Sequence, residues 1–396
     1  GLPELAALDA LADPGEVAHY RAVLQSLLAT GLEPFVTLNH FSLPIWIHDP
    51  IATRDALLGR DPSGPLPLFA APAGWLDTVT VTEFEKYAAY LGWKFGNLCD
   101  WWAPLNEPLV VAVNGFVNVP GVLGGHFPPG AWSFTGAVET IANEIAANAV
   151  AYDALHAWDT VDADGDSTAA RVGIVHNMVA FHPRTPGLPA DVIGAQNASY
   201  IFNSIFPNAV FHGDLDLNVD GIIQPSEHVP SMVGKSDFLG LNYYLRATAQ
   251  GLGGPLTPVI PLLTFLPTLS YTATTCPSVC TEFGWEIYPA GLGEVLAIAG
   301  TYGVPIYITE NGLADNDDNQ RPAYLVRHLQ QIDQAITGGV ADVRGYFHWS
   351  LVDNFEWSSG YQPSFGLFDL NPLDPLHKRH LRKSGRIYKR IAKKNL

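Results

Sequence analysis

At 396 residues the chain has room for two or three ordinary domains, or for one α/β barrel with insertions. Apolar residues make up 47% and charged ones only 15%, which excludes wholesale disorder and leaves material for a large core. The 21 Lys and Arg stand against 39 Asp and Glu, and the resulting net charge of −18 argues against nucleic acid and anionic membrane as partners.

Along the chain, helical and strand-like patterns alternate. A helical pattern over Gly15–Thr30 leads into a strand-like run, Pro34–Asn39. Helix Val79–Lys94 then precedes strand Leu98–Leu105, and helix Thr135–Trp158 precedes strand Arg171–Asn177. Helix Ala190–His212 leads to strand Asp237–Tyr244, helix Ala290–Tyr302 to Pro305–Thr309, and helix Pro322–Gly338 to Arg344–Leu351. Such alternation, with Gly-rich exits, implies parallel strands joined by helical crossovers. Six strands are readable where a closed barrel of this class has eight, so two strand–helix units are expected to be absent at the N-terminus. Residues 251–277 are rich in Pro, Gly and Thr without helical period, as in a loop lining a substrate entrance. Neither an internal repeat nor a linker divides the chain, which reads as one domain over residues 1–396.

Three cysteines, Cys99, Cys276 and Cys280, rule out a disulfide scaffold, although the last two stand close enough in sequence to bridge. No run of eighteen apolar residues suggests a membrane span. The first residue is Gly1 and not Met, so a leader upstream is open; a cytoplasmic location is expected, with secretion as the alternative.

Two glutamates stand out, about two hundred residues apart. Glu107 closes Trp101-Trp102-Ala103-Pro104-Leu105-Asn106-Glu107-Pro108, and Glu310 closes Val304-Pro305-Ile306-Tyr307-Ile308-Thr309-Glu310-Asn311-Gly312. Apolar β-formers that stop at a carboxylate followed by Pro or Gly read as buried strands emptying into loops. An α/β barrel places its chemistry at such strand ends. A carboxylate pair is also the minimum equipment for cleaving a glycosidic bond: with retention, one carboxylic acid protonates the leaving oxygen while the other attacks the anomeric carbon, roughly 5–5.5 Å away. Either segment alone would be an ordinary polar turn; together they are more. The stretch Gly345–Trp357, running on to Tyr361 and Phe365, packs two tryptophans, a glutamate and a tyrosine around a strand exit. Indoles stack on sugar ring faces, and Glu356 can accept two hydroxyl hydrogen bonds. Plugging of a barrel end by aromatic side chains is the plainer reading.

Five motifs in order carry a resemblance: Thr37-Leu38-Asn39-His40-Phe41-Ser42-Leu43-Pro44, Asn106-Glu107-Pro108, Asp237-Phe238-Leu239-Gly240-Leu241-Asn242-Tyr243-Tyr244, Ile308-Thr309-Glu310-Asn311-Gly312, and Trp349 through Trp357. The chain resembles glycoside hydrolase family 1, the β-glucosidase family, from about Glu16 to Tyr388. The resemblance implies a (β/α)8 TIM barrel of which strands three to eight are present. It implies Glu107 as acid/base after strand four and Glu310 as nucleophile after strand seven. His40, Asn106, Trp349, Glu356, Trp357 and Phe365 would line the sugar subsite, and Tyr244 would donate to the nucleophile. The family's first strand supplies a sugar-binding glutamine and its second an arginine near the nucleophile; neither segment is matched here. Phe41 stands where the family usually has Trp.

Asp216, Asn218, Asp220, the Ile222 carbonyl and Glu227 occupy positions one, three, five, seven and twelve of a calcium-loop pattern, with Gly221 at six. Structural calcium is therefore expected in an insertion around 214–228, with no cofactor for catalysis. A second acidic stretch, Asp159 to Asp166, fits less well and reads as a solvated turn. The expected activity is retaining hydrolysis of terminal β-D-glucosides or galactosides, with a small carbohydrate as the partner molecule. A non-catalytic sugar-binding remnant and a transglycosidase are the alternatives. Specificity for 6-phosphosugars is disfavoured, because Glu356 would repel the phosphate and Tyr361-Gln362-Pro363-Ser364 offers no cation.

Overall fold

A computed structural model describes residues 5–117 and 126–394, and the chain divides into two compact units. The first comprises residues 1–176 and 205–239, the second 177–204 and 240–396.

In the first unit, helices α1 (Leu5–Leu11) and α2 (Pro14–Ala29) precede strand β1 (Phe35–Asn39). Helices α3 (Pro50–Leu57) and α4 (Thr78–Phe95) lead to β2 (Trp101–Leu105), followed by α5 (Pro108–Phe116), α6 (Phe134–Trp158) and the short β3 (Arg171–Val172). The helix starts are chemically marked. Asp49, Asp77 and Ser133 accept backbone amides as N-caps of α3, α4 and α6, and Pro108 occupies the first turn of α5, where no amide is needed. Strands β1 and β2 pair in parallel with Phe35 opposite Trp101 and Asn39 opposite Leu105, so both chains leave the sheet at the same level. Between β3 and the next strand, position 173 has to be glycine, because a Cβ there would meet the Phe238 ring and carbonyl at 2.6 Å.

Strand β4 (Ile174–Pro183) begins in the first unit and continues in the second, followed by α7 (Pro189–Asn203). Helix α8 (Ile205–His212) belongs to the first unit, and strand β5 (Leu239–Gly251) runs into the second. The second unit continues with β6 (Phe265–Thr268), α9 (Pro289–Ala299), β7 (Ile306–Glu310), α10 (Arg321–Thr337) and β8 (Val343–Tyr346). A hairpin of β9 (Phe368–Leu370) and β10 (Arg379–Leu381) and helix α11 (Lys383–Lys394) complete it. The sheet order is β4-β5-β7-β8, with β6 added antiparallel on β5 and β8 parallel to β7. Fully buried Leu241, Tyr243, Leu292, Ile306, Ile308, Tyr324 and Phe365 form its interior.

All six strand positions expected from the sequence are found. The expected helix 190–212 is two helices, since Pro207 cannot donate to the carbonyl of Asn203 and its ring crowds that turn. The loop expected at 251–277 contains β6, and a Cys276–Cys280 disulfide, with Cα atoms 6.1 Å apart, ties down its end. Cys99 is a buried free thiol whose pKa burial pushes up to about 12, so it is inert. No helix among the described residues is long and apolar enough to cross a membrane.

Candidate active site

The parallel register of β1 and β2 determines where the first group of site residues emerges. The Asn106 amide donates to the Asn39 carbonyl at 3.0 Å and the Glu107 amide to the Val175 carbonyl at 2.9 Å, so the ladder holds the chain right up to the glutamate. Glu107 is 7% exposed and adopts a left-handed backbone (φ 48°), turning directly into Pro108 of α5. Phe41 (φ 70°) and Trp357 (φ 49°) are in the same costly region. Non-glycine residues keep such conformations where the surroundings over-determine them, and these cluster at functional sites. The Asn106 side-chain amide donates to His40 Nε2 at 2.9 Å, which places the imidazole proton on Nδ1. Burial lowers the His40 pKa to about 4, so the ring is neutral at working pH.

In the second unit, Glu310 ends β7 and is 8% exposed. Tyr244, on β5, donates its hydroxyl to Glu310 Oε2 at 2.5 Å. Tyr244 lies 5.5 Å from the Trp285 ring and 6.3 Å from Phe365, and Phe283 stacks on Trp285 at 4.9 Å. The Trp349 indole donates to Glu356 Oε1 at 3.1 Å, orienting a carboxylate that is itself 8% exposed. Burial raises the Glu356 pKa to about 7 against the opposing hydrogen bonds from Trp349 and Asn354. Below it, Arg382 holds Asp353 through paired 2.8 Å hydrogen bonds that anchor the loop. Thus His40, Asn106 and Glu107 assemble in one unit, and Tyr244, Glu310, Trp349, Glu356, Trp357 and Phe365 belong to the other. Sequence reading passed over Phe283 and Trp285; the signal was an aromatic pair with Gly284 between, lying just before the helix that leads into β7.

The calcium candidates behave differently. The ends of the 214–228 loop are tied by an antiparallel bridge between Asp214 and His228. Inside it, Asp216 accepts the Asp220 and Gly221 amides at 3.1 and 2.8 Å, Asn218 and Asp220 accept the Asp220 and Ile222 amides, and Glu227 accepts the Gln224 amide. Among the described residues, the carboxylates whose oxygens lie within 4.8 Å of one another are instead Asp100, Asp162 and Asp164. The second acidic stretch is therefore more convergent than its spacing suggested.

Comparison with known proteins places this geometry. The profile for Glycosyl hydrolase family 1 matches residues 65–396. The chain is 37% identical to the beta-galactosidase of Pyrococcus woesei, covering 98% of this chain and 74% of that protein. It is 31% identical to beta-glucosidase A of Thermotoga maritima, covering 95% and 77%. The crystal structure of the beta-glycosidase from Thermosphaera aggregans superposes with a TM-score of 0.80 at 32% identity, over 100% of this chain and 75% of that one. These matches define an enzyme of the retaining β-glycosidase class. The chain belongs to glycosyl hydrolase family 1.

Proposed function

We propose that the chain hydrolyses terminal β-D-glucosides and β-D-galactosides, with Glu310 as nucleophile and Glu107 as acid/base. The observation that carries the assignment is the Tyr244 hydroxyl on Glu310 at a strand end, because a phenol donating to a carboxylate favours its ionised form and fixes its direction. In the first step a Glu310 oxygen bonds to the anomeric carbon as the glycosidic C–O bond breaks, and the Glu107 proton passes to the leaving oxygen. In the second, Glu107 takes a proton from water, the water oxygen bonds to the anomeric carbon, and the Glu310 ester opens. His40, Asn106, Trp349, Glu356, Trp357 and Phe365 would bind the sugar, and Trp285 beside Tyr244 adds a further stacking face. Relatives named for β-galactosides and β-glucosides support this substrate class.

Glu310→Gly should lower kcat on the order of 10⁴-fold or more, as loss of a covalent nucleophile does. Azide should restore turnover and yield the inverted glycosyl azide. Glu107→Ala should lose about 10²–10⁴-fold in kcat/KM on alkyl glycosides and much less in kcat/KM on dinitrophenyl glycosides, whose leaving group needs no proton in the glycosylation step. Inverted glycosyl azide from Glu107→Ala in place of Glu310→Gly would reverse the roles. Calcium at Asp216, Asn218, Asp220, Ile222 and Glu227 belongs to the same reading as a structural ion. It is supported by the ligand spacing and by the bridge that closes the loop.

A further inference from the structure

We infer that Asn311 is a positioning residue for the glycosylation step, acting through Glu310 and never touching the sugar. Three consecutive residues at the end of β7 are each tied to one run of β5. Thr309 Oγ1 donates to Asn242 Oδ1 at 2.6 Å, Glu310 accepts from Tyr244, and Asn311 Nδ2 donates to the Tyr243 carbonyl at 2.7 Å. Asn311 also donates to the Tyr324 hydroxyl of α10 at 2.8 Å and accepts from the Tyr346 hydroxyl of β8 at 3.0 Å. Both amide hydrogens are therefore used and the carbonyl oxygen is engaged, in a side chain that is fully buried.

Its backbone completes the joint. The Trp349 amide donates to the Asn311 carbonyl at 3.1 Å, and a Cβ on Gly312 would lie 1.8 Å from the Trp349 carbonyl. The residue after Glu310 is thus fastened to β5, to α10, to β8 and to the backbone of Trp349. A change in the Asn311 side chain loosens the peptide that sets the direction of Glu310 and its offset from the Trp349–Glu356 pair. Misplacing a reacting group by about 1 Å costs on the order of 10²-fold in rate, whereas substrate binding through other side chains is left in place.

Asn311→Ala should lower kcat by about 10–100-fold with KM for an aryl glucoside held within about threefold. Tyr324→Phe removes one hydroxyl partner of Asn311, and should act in the same direction by a few-fold. Should Asn311→Ala fail to fold, this second variant carries the test. Rates are referred to competent sites by titration with a 2-deoxy-2-fluoro glycoside, which arrests the covalent intermediate, so unfolded chain does not register. Values per titrated site within about twofold of the parent in the variants that fold, or a rise in KM at unchanged kcat, would overturn the inference. The inference rests on Glu310 as nucleophile, and azide rescue of Glu310→Gly separates the two. Failed rescue removes that assignment, while rescue alongside an undiminished Asn311→Ala removes only the positioning role.

Discussion

Residue types at strand ends were the most legible part of the site. Glu107 follows β2 and Glu310 ends β7, and buried β-formers before a carboxylate are what make these two candidates; Tyr244 lies within β5 and carries no such signal. What the sequence does not carry is the environment of each group. For Glu356, burial outweighs the hydrogen bonds from Trp349 and Asn354, the Asp353 charge adds to it, and its pKa rises to about 7. The consequence is testable. As pH rises through about 7, Glu356 passes from a carboxylic acid to a carboxylate, which accepts more strongly from sugar hydroxyls. A charge-assisted bond exceeds a neutral one by about 1 kcal/mol or more, on the order of tenfold in Kd between pH 5.5 and 8.5. Calorimetric titration with an uncharged, hydrolysis-resistant thioglucoside should therefore show affinity increasing with pH, and Glu356→Gln should flatten the curve. A parent protein whose affinity is level across that range would remove Glu356 as the titrating acceptor.

Elements were legible where hydrophobic period was long and lost where it was short or mixed. Strand β5 extends past Tyr244 to Gly251 because Arg246, Thr248 and Gln250 alternate with buried Leu245, Ala247 and Ala249, a half-polar pattern easily taken for a loop. The β9–β10 hairpin offers three residues per strand, and the apolar stripe of α11 is short, limited to Ile387, Tyr388 and Ile391 among Lys and Arg. Acidic loops are a third case: spacing identifies oxygen donors but not where they point. In the 216–227 loop the donors accept the loop's own amides, while Asp100, from the start of β2, joins Asp162 and Asp164 from a loop some sixty residues on. If the 216–227 loop binds calcium, the ion stabilises the fold by mass action, about 2.7 kcal/mol at a hundredfold excess over Kd. Thermal melting in calcium and in EGTA should then differ by several degrees, and Glu227→Gln should abolish the difference. A shift that survives Glu227→Gln but disappears in Asp164→Asn would assign the ion to the other loop. Melting indifferent to both additions would exclude calcium from either.

At the scale of the whole molecule, alternation of helix and strand conveyed the α/β class, because each crossover helix is long enough to show its period. The division into two compact units was not legible, since the boundary falls inside β4 and β5, within continuous hydrophobic strands and not at a Pro/Gly-rich linker. Glu107 belongs to one unit and Glu310 to the other. Retention needs two carboxyl groups roughly 5–5.5 Å apart, whereas inversion needs roughly 6.5–9.5 Å to admit water. The stereochemistry of hydrolysis therefore tests the proposed roles of Glu107 and Glu310 directly. With an aryl β-glucoside followed by proton NMR from the first minutes, the β-anomer of glucose should appear first and the α-anomer only later, by mutarotation. The same outcome should hold for an aryl β-galactoside, because in the proposed mechanism both sugars pass through the same Glu310 ester. Initial release of the α-anomer would mean that water, not Glu310, attacks the anomeric carbon. The roles given to both carboxylates would then fall together, even with each side chain correctly placed at its own strand end.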